Sequence, residues 1–165
     1  VIPDKQLQQR FVQLLSVVDK EVFHLQQVSE RFFEKQETIT QQWLQQKLST
    51  GIGIDQLESF TSKFSRLQDT LGDKVLPLFL KLTAEPVGTA LENLHRAEKL
   101  ELIQDSQNWL GTRLLRNMLV HNYVEDLSIL TQALQQVQIM TNILIATALK
   151  FKNYALKLGF IDANF

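Results

Sequence analysis

The sequence predicts an all-α protein, an antiparallel bundle of four to five helices, and three observations predict it. Apolar residues recur three or four apart in long runs, and nowhere does the period-two alternation of a half-buried strand appear. The six glycines and three prolines fall mostly between those runs rather than inside them. The 165 residues are 44% hydrophobic and 21% charged, enough for one core but not for two independent ones. Residues 1–165 are therefore expected to form a single domain.

Asp4 is a reasonable N-cap for the first helix. That helix places Leu7, Phe11, Leu14, Val18, Val22, Leu25, Val28 and Phe32 on one face. The piece "TITQQWLQQKLST" continues as a weaker helix with solvated glutamines and a small patch of Trp43 and Leu44, until Gly51 and Gly53 break it. A second strong run carries Leu57, Phe60, Phe64, Leu67, Leu71, Val75, Leu78 and Leu82. Pro77 is expected to kink this run and "AEPVG" to end it. "GTALENLHRAEKL" then sets Leu91, Leu94 and Ala97 or Glu98 against the core. A fourth long helix starts at Asp105 or Ser106, both good caps, and runs through Trp109. The last helix follows Glu125 and Asp126, whose charges suit a helix N-terminus. It buries Leu127, Leu130, Leu134, Val137, Thr141, Leu144, Ala148, Phe151 and Leu158, while Ile129, Ile139, Ile143 and Ile145 decorate its other sides. Those extra apolar faces point to a homodimer formed through this helix.

Several classes of function are excluded or disfavoured. A formal net charge of -1 and a pI near 6.3 argue against a strongly basic nucleic-acid platform, though a local cationic site stays open. The absence of cysteine removes disulfides and thiolate catalysis. His24, His95 and His121 sit at no metal-ligand spacing, and the glycines form no phosphate-cradling loop. No metal and no cofactor are expected. Ser128 to Leu149 is uncharged over about the length of a membrane span. Yet Gln132, Gln135, Gln136, Gln138 and Asn142 would lose water in a bilayer, so burial between helices is the expectation. With no secretory signal visible, the chain reads as cytoplasmic.

The stretch "LRNMLVHNYVED" asks for a functional account, because it sets Arg116, Asn117, His121 and Tyr123 among Leu, Met and Val. With about 100° per residue, Arg113, Asn117 and His121 stack in one stripe, and Arg116 lies on its edge. A bland reading exists: His121 as a C-terminal capping cation, solvated arginines, and Tyr123 packed with its hydroxyl at the surface. Arg66, Asp69 and Asp73 share the polar face of the second long run. They read either as a solvated salt-bridged face or as the lining of a cleft opposite the motif. His95 and Arg96, next to Glu98 and Lys99, read as ordinary charged surface.

The order of the motif residues, R-N-x-x-x-H-x-Y, resembles the HEPN superfamily (nucleotide-binding helical domains of prokaryotes and higher eukaryotes), and Tyr123 makes it similar to the HepT branch. "FSRLQDTLGDKVLPLFL" and "LENLHRAEKLELIQDSQNWLGTRLLRN" are similar to segments preceding the motif in nucleotidyltransferase substrate-binding partners. The resemblance covers Leu57 to Asp126 well and the last helix loosely, and the glutamine-rich piece has no counterpart in it. It implies a homodimeric, metal-independent endoribonuclease, the toxin of a toxin–antitoxin pair. His121 would be the base for the 2′-hydroxyl and Arg116 the phosphate ligand, with Asn117 orienting the phosphate, in a site built from two chains. Those residue types suit the roles, since imidazole titrates near neutrality and guanidinium binds phosphate through two bonds. The resemblance also implies an MntA-like nucleotidyltransferase as cognate antitoxin, which uses ATP to transfer AMP to Tyr123. The alternative is a non-catalytic substrate-binding or scaffold partner of a minimal nucleotidyltransferase.

Overall fold

The computed structural model describes residues 4–121 and 126–165, with Val120 and His121 described by their backbone alone. Among the described residues the chain is helical throughout, with no strand. Helix α1 spans Lys5–Phe33, α2 Gln41–Lys47 and α3 Gly51–Asp69. A π turn over Thr70–Val75 joins α3 to α4, Leu76–Leu82, without a break. After it come α5, Ala90–Lys99, α6, Ser106–His121, and α7, Leu127–Lys157.

Local chemistry sets most of the helix starts. Asp4 accepts the Gln6 amide at 2.8 Å, Thr40 the Trp43 amide at 3.1 Å and Thr50 the Gly53 amide at 3.1 Å. Thr89 and Glu92 form a reciprocal capping box, 2.8 and 3.2 Å, ahead of α5, satisfying two otherwise orphaned amides. Asp105 accepts from Gln107 at 2.8 Å, and Asp126 from Ser128 at 3.0 Å. Gly51 and Gly53, expected to break a helix, instead open α3. A Cβ at Gly53 would collide with the Lys47 carbonyl oxygen at the end of α2, so close approach rather than a turn demands that glycine.

Pro77 does not interrupt its helix. It occupies the second position of α4, directly after the π turn. A proline has no amide to donate and its ring clashes with the carbonyl four residues earlier. The widened turn, in which the Leu76 amide reaches back to the Leu71 carbonyl, removes that register where the ring needs room.

Three long-range pairings give the direction of packing. Phe11 meets Phe79 at 6.0 Å between ring centroids, Glu21 accepts from Thr70 at 3.0 Å, and Phe32 stacks on Phe60 at 6.0 Å. The rod from α3 to α4 therefore runs antiparallel to α1. Helix α7 is antiparallel to α1 as well: Gln138 donates to the Gln36 carbonyl at 2.9 Å, Lys152 pairs with Asp19 at 3.1 Å, and Phe160 packs on Phe11 at 6.2 Å. Gln68 donates to the Trp109 carbonyl at 3.1 Å and Arg116 to the Ser65 carbonyl at 3.1 Å, so α6 lies antiparallel to α3. One core of Phe11, Leu25, Phe32, Phe60, Phe64, Leu67, Trp109, Leu134, Leu144 and Phe151 joins these elements. The α2 glutamines are exposed and Leu44 is buried, as the pattern predicts.

Among the described residues no helix is long and apolar enough to cross a membrane. Two of the α7 glutamines tie the helix to the segment between α1 and α2. Gln135 and Gln138 donate to the carbonyls of Ile39 and Gln36, at 2.7 and 2.9 Å. Buried Thr131, Thr141 and Thr147 satisfy themselves on carbonyls one turn back, at 2.7 to 2.8 Å, as threonines inside helices do. Leu91 and Leu158, expected in the core, are exposed. Leu94 and Ala97 bury the apolar face of α5, and α7 ends at Lys157, so that Gly159, at φ 75°, turns Phe160 back onto the core in place of Leu158.

Candidate functional site

The motif helix α6 meets the π turn and the last turn of α3. Asp105 caps its start, and Trp109, only 2% exposed, drives its second turn into the core. The indole lies over Gly72, where an added Cβ would stand 3.2 Å from Nε1 and 3.3 Å from an Arg113 guanidinium nitrogen. Gly72 thus permits the close approach of α6 to the π turn. Downstream, Leu119 is buried while Leu114 and Met118 are exposed on the opposite side.

The two arginines of this helix turn toward the rod. Arg113 pairs with Asp73 at 2.7 Å and reaches Asp69 at 3.5 Å. Arg116 Nη1 donates to Asp69 at 2.8 Å, to the Ser65 carbonyl at 3.1 Å and to Gln68 Oε1 at 3.4 Å. Asp69 and Asp73, each about half exposed, therefore form a salt-bridged face with the motif helix. Arg66 does not join this cluster: it is exposed, and its charge acts on Glu21 of α1. Asn117 is exposed and is not among the groups holding Arg116. The backbone of His121 closes α6, five positions and so about 140° around the helix from Arg116. Tyr123 and Glu125 lie outside the described residues.

Gln68, fully buried, and the Ser65 carbonyl belong to this site although sequence reasoning passed over both. A backbone carbonyl has no signature in residue identity, and a glutamine inside "RLQDT" looks solvated. Arg113 Nε and Trp109 Nε1 are buried donors without an acceptor among the described residues. No group of three or more His, Cys, Asp or Glu among the described residues could hold a metal. His24 lies against Phe23, and His95 is exposed on α5.

Behind the π turn, Glu21 is half-buried. Its Oε1 accepts the Thr70 hydroxyl, and its Oε2 has no partner among the described residues. Burial pushes its carboxyl above the ordinary 4.5, against the Thr70 bond and the attraction of Arg66 and Lys74. A raised folded-state value means that the native chain holds this proton more tightly than the unfolded chain. The contribution of Glu21 to stability is thus complete below the ordinary value and is lost as pH rises through the folded one. Glu21→Gln keeps an acceptor for Thr70 and removes the desolvated charge. It is expected to melt above wild type at about pH 7, with the gap closing toward about pH 4. Circular dichroism melts across that range measure it, and a lower melting temperature for the variant at neutral pH would show that Arg66 and Lys74 outweigh burial.

Comparison with known proteins adds no relative: no family model, no curated protein and no solved structure matches the chain.

Proposed function

We propose that this chain is a HepT-like member of the HEPN superfamily, a homodimeric, metal-independent endoribonuclease silenced when a partner nucleotidyltransferase places AMP on Tyr123. The observation that supports it most is the Arg116 ion pair: the motif arginine is held 2.8 Å from Asp69, on a helix whose last residue is His121. The Ser65 carbonyl and Gln68 also hold this guanidinium, which positions it for a phosphate that takes the place of Asp69. In the proposed reaction His121 takes the proton of a ribose 2′-hydroxyl, and the 2′-oxygen attacks the adjacent phosphorus. A bond from phosphorus to the 2′-oxygen forms as the bond to the 5′-oxygen breaks, and the departing oxygen receives a proton from the second chain's imidazole. The products are a 2′,3′-cyclic phosphate and a free 5′-hydroxyl. The dimer is supported by the uncharged stretch Ser128 to Leu149 of α7 and by Ile139, 65% exposed beside exposed Leu114.

One observation favours a second reading, a non-catalytic partner of the nucleotidyltransferase. Arg113 and Arg116 are already paired with Asp73 and Asp69, so the cluster presents no net positive charge to RNA. Intact-mass measurement tests both roles of the partner. Incubation with a minimal nucleotidyltransferase, ATP and magnesium is expected to add AMP to wild type but not to Tyr123→Phe, and RNA cleavage by the wild type should stop. Modification without any prior cleavage selects the second reading. Equal addition to Tyr123→Phe, or none to wild type, refutes the assignment of Tyr123.

A further inference from the structure

The ion pairs between α6 and the rod are arranged with the acids outside and the bases inside. Asp69 and Asp73 are 45% and 48% exposed, whereas Arg113 and Arg116 are 23% and 15% exposed. Anything anionic that approaches from solvent meets the carboxylates before it meets the guanidiniums. A purely structural clamp gains most from a sheltered acid, because exposed ion pairs are weak and easily exchanged. Among the described residues each arginine also has donors that no acceptor takes up. Arg113 Nε is a buried donor without an acceptor among the described residues. The three bonds of Arg116 to Ser65, Gln68 and Asp69 all come from the one nitrogen Nη1. A guanidinium offers five N–H donors in a fork that matches two oxygens of a phosphate.

Resting on the ribonuclease reading above, the geometry points to Asp69 and Asp73 as an internal counter-anion that occupies the phosphate-binding arginines of the ligand-free chain. A phosphodiester of single-stranded RNA enters by exchange: its oxygens take Arg113 and Arg116 as the two carboxylates swing into water. The neutral cluster keeps the site from collecting polyanions indiscriminately, because an incoming strand has to displace a charge of its own sign. Ser65 and Gln68 hold Arg116 in place while this happens, since neither of their contacts is ionic.

The test is Asp69→Asn combined with Asp73→Asn, which removes both negative charges and little volume. Binding of a labelled single-stranded oligoribonucleotide is followed by fluorescence anisotropy across a salt series, and binding of inorganic tripolyphosphate by calorimetry. The double variant is expected to bind both anions about tenfold more tightly at low salt. Its RNA affinity should fall more steeply with salt, by up to about 0.7 in log–log slope for each guanidinium released. If the double variant does not fold, Asp73→Asn alone carries the test through Arg113, with an expected gain of about threefold. A folded variant that gains no affinity for either anion overturns the exchange, whether or not the wild type cuts RNA. A gain for tripolyphosphate, with no RNA bound or cut by either chain, upholds the exchange and refutes the ribonuclease reading instead.

Discussion

His121→Ala is expected to lower RNA cleavage by about 10² to 10⁴-fold, the usual loss when general-base help is removed, with little change in melting temperature. His121 is the last residue of α6, where a substitution leaves the helix ladder behind it intact. Cleavage by wild type should survive EDTA, and its products should end in a cyclic or 3′ phosphate. Arg116→Ala is a poorer probe. The family resemblance implies only a phosphate-binding role for Arg116. In the folded chain its guanidinium also serves Asp69, the Ser65 carbonyl and Gln68, and truncation would strip all three of a partner. Arg116→Ala should therefore lose cleavage and stability together, whereas His121→Ala should separate them. Cleavage that needs a metal, or full activity in His121→Ala, would count against the mechanism.

What could be read from the sequence was local. Asp4, Thr89, Asp105 and Asp126 act on amides two or three residues ahead, so each cap is written in a few adjacent letters. The buried stripe of α1 follows equally from spacing. Features that depend on distant chain were less legible. Gly53 answers to a carbonyl at the end of another helix, and a glycine pressed against a neighbour looks the same in sequence as one that ends a helix. Pro77 marks where the rod must deviate, but nothing in its neighbours says that the deviation is a π turn six residues long. At the site, Arg113 and Asp73 were visible as charges on two helices, and only the antiparallel packing of α6 on α3 brings them to 2.7 Å. Arg66, in the same charged run, acts on Glu21 of α1 instead, because the helix turns it away from α6.

Trp109→Ala is expected to cost about 3 to 5 kcal/mol of stability, the range for deleting a large buried aromatic. In a chain of this size that corresponds to a fall of about 6 to 20 °C in melting temperature. Trp109 is the largest fully buried side chain of α6, and its ring fills the space over Gly72 between the motif helix and the π turn. Truncation would leave a cavity at the contact that sets the height of Arg113 and Arg116 above Asp73 and Asp69. The Gln68 bond to the Trp109 carbonyl belongs to the backbone and would remain, so α6 should loosen rather than detach. Trp109→Phe separates packing from polarity. It keeps an aromatic ring over Gly72 and removes the indole N–H, which is buried without an acceptor among the described residues. An unsatisfied buried donor costs about 1 to 3 kcal/mol, so its removal should offset much of the lost volume and leave Trp109→Phe far closer to wild type than Trp109→Ala. Thermal and urea denaturation of the three chains measure the difference. A Trp109→Ala chain that melts within about 2 °C of wild type would mean that the indole does not hold α6 against the π turn.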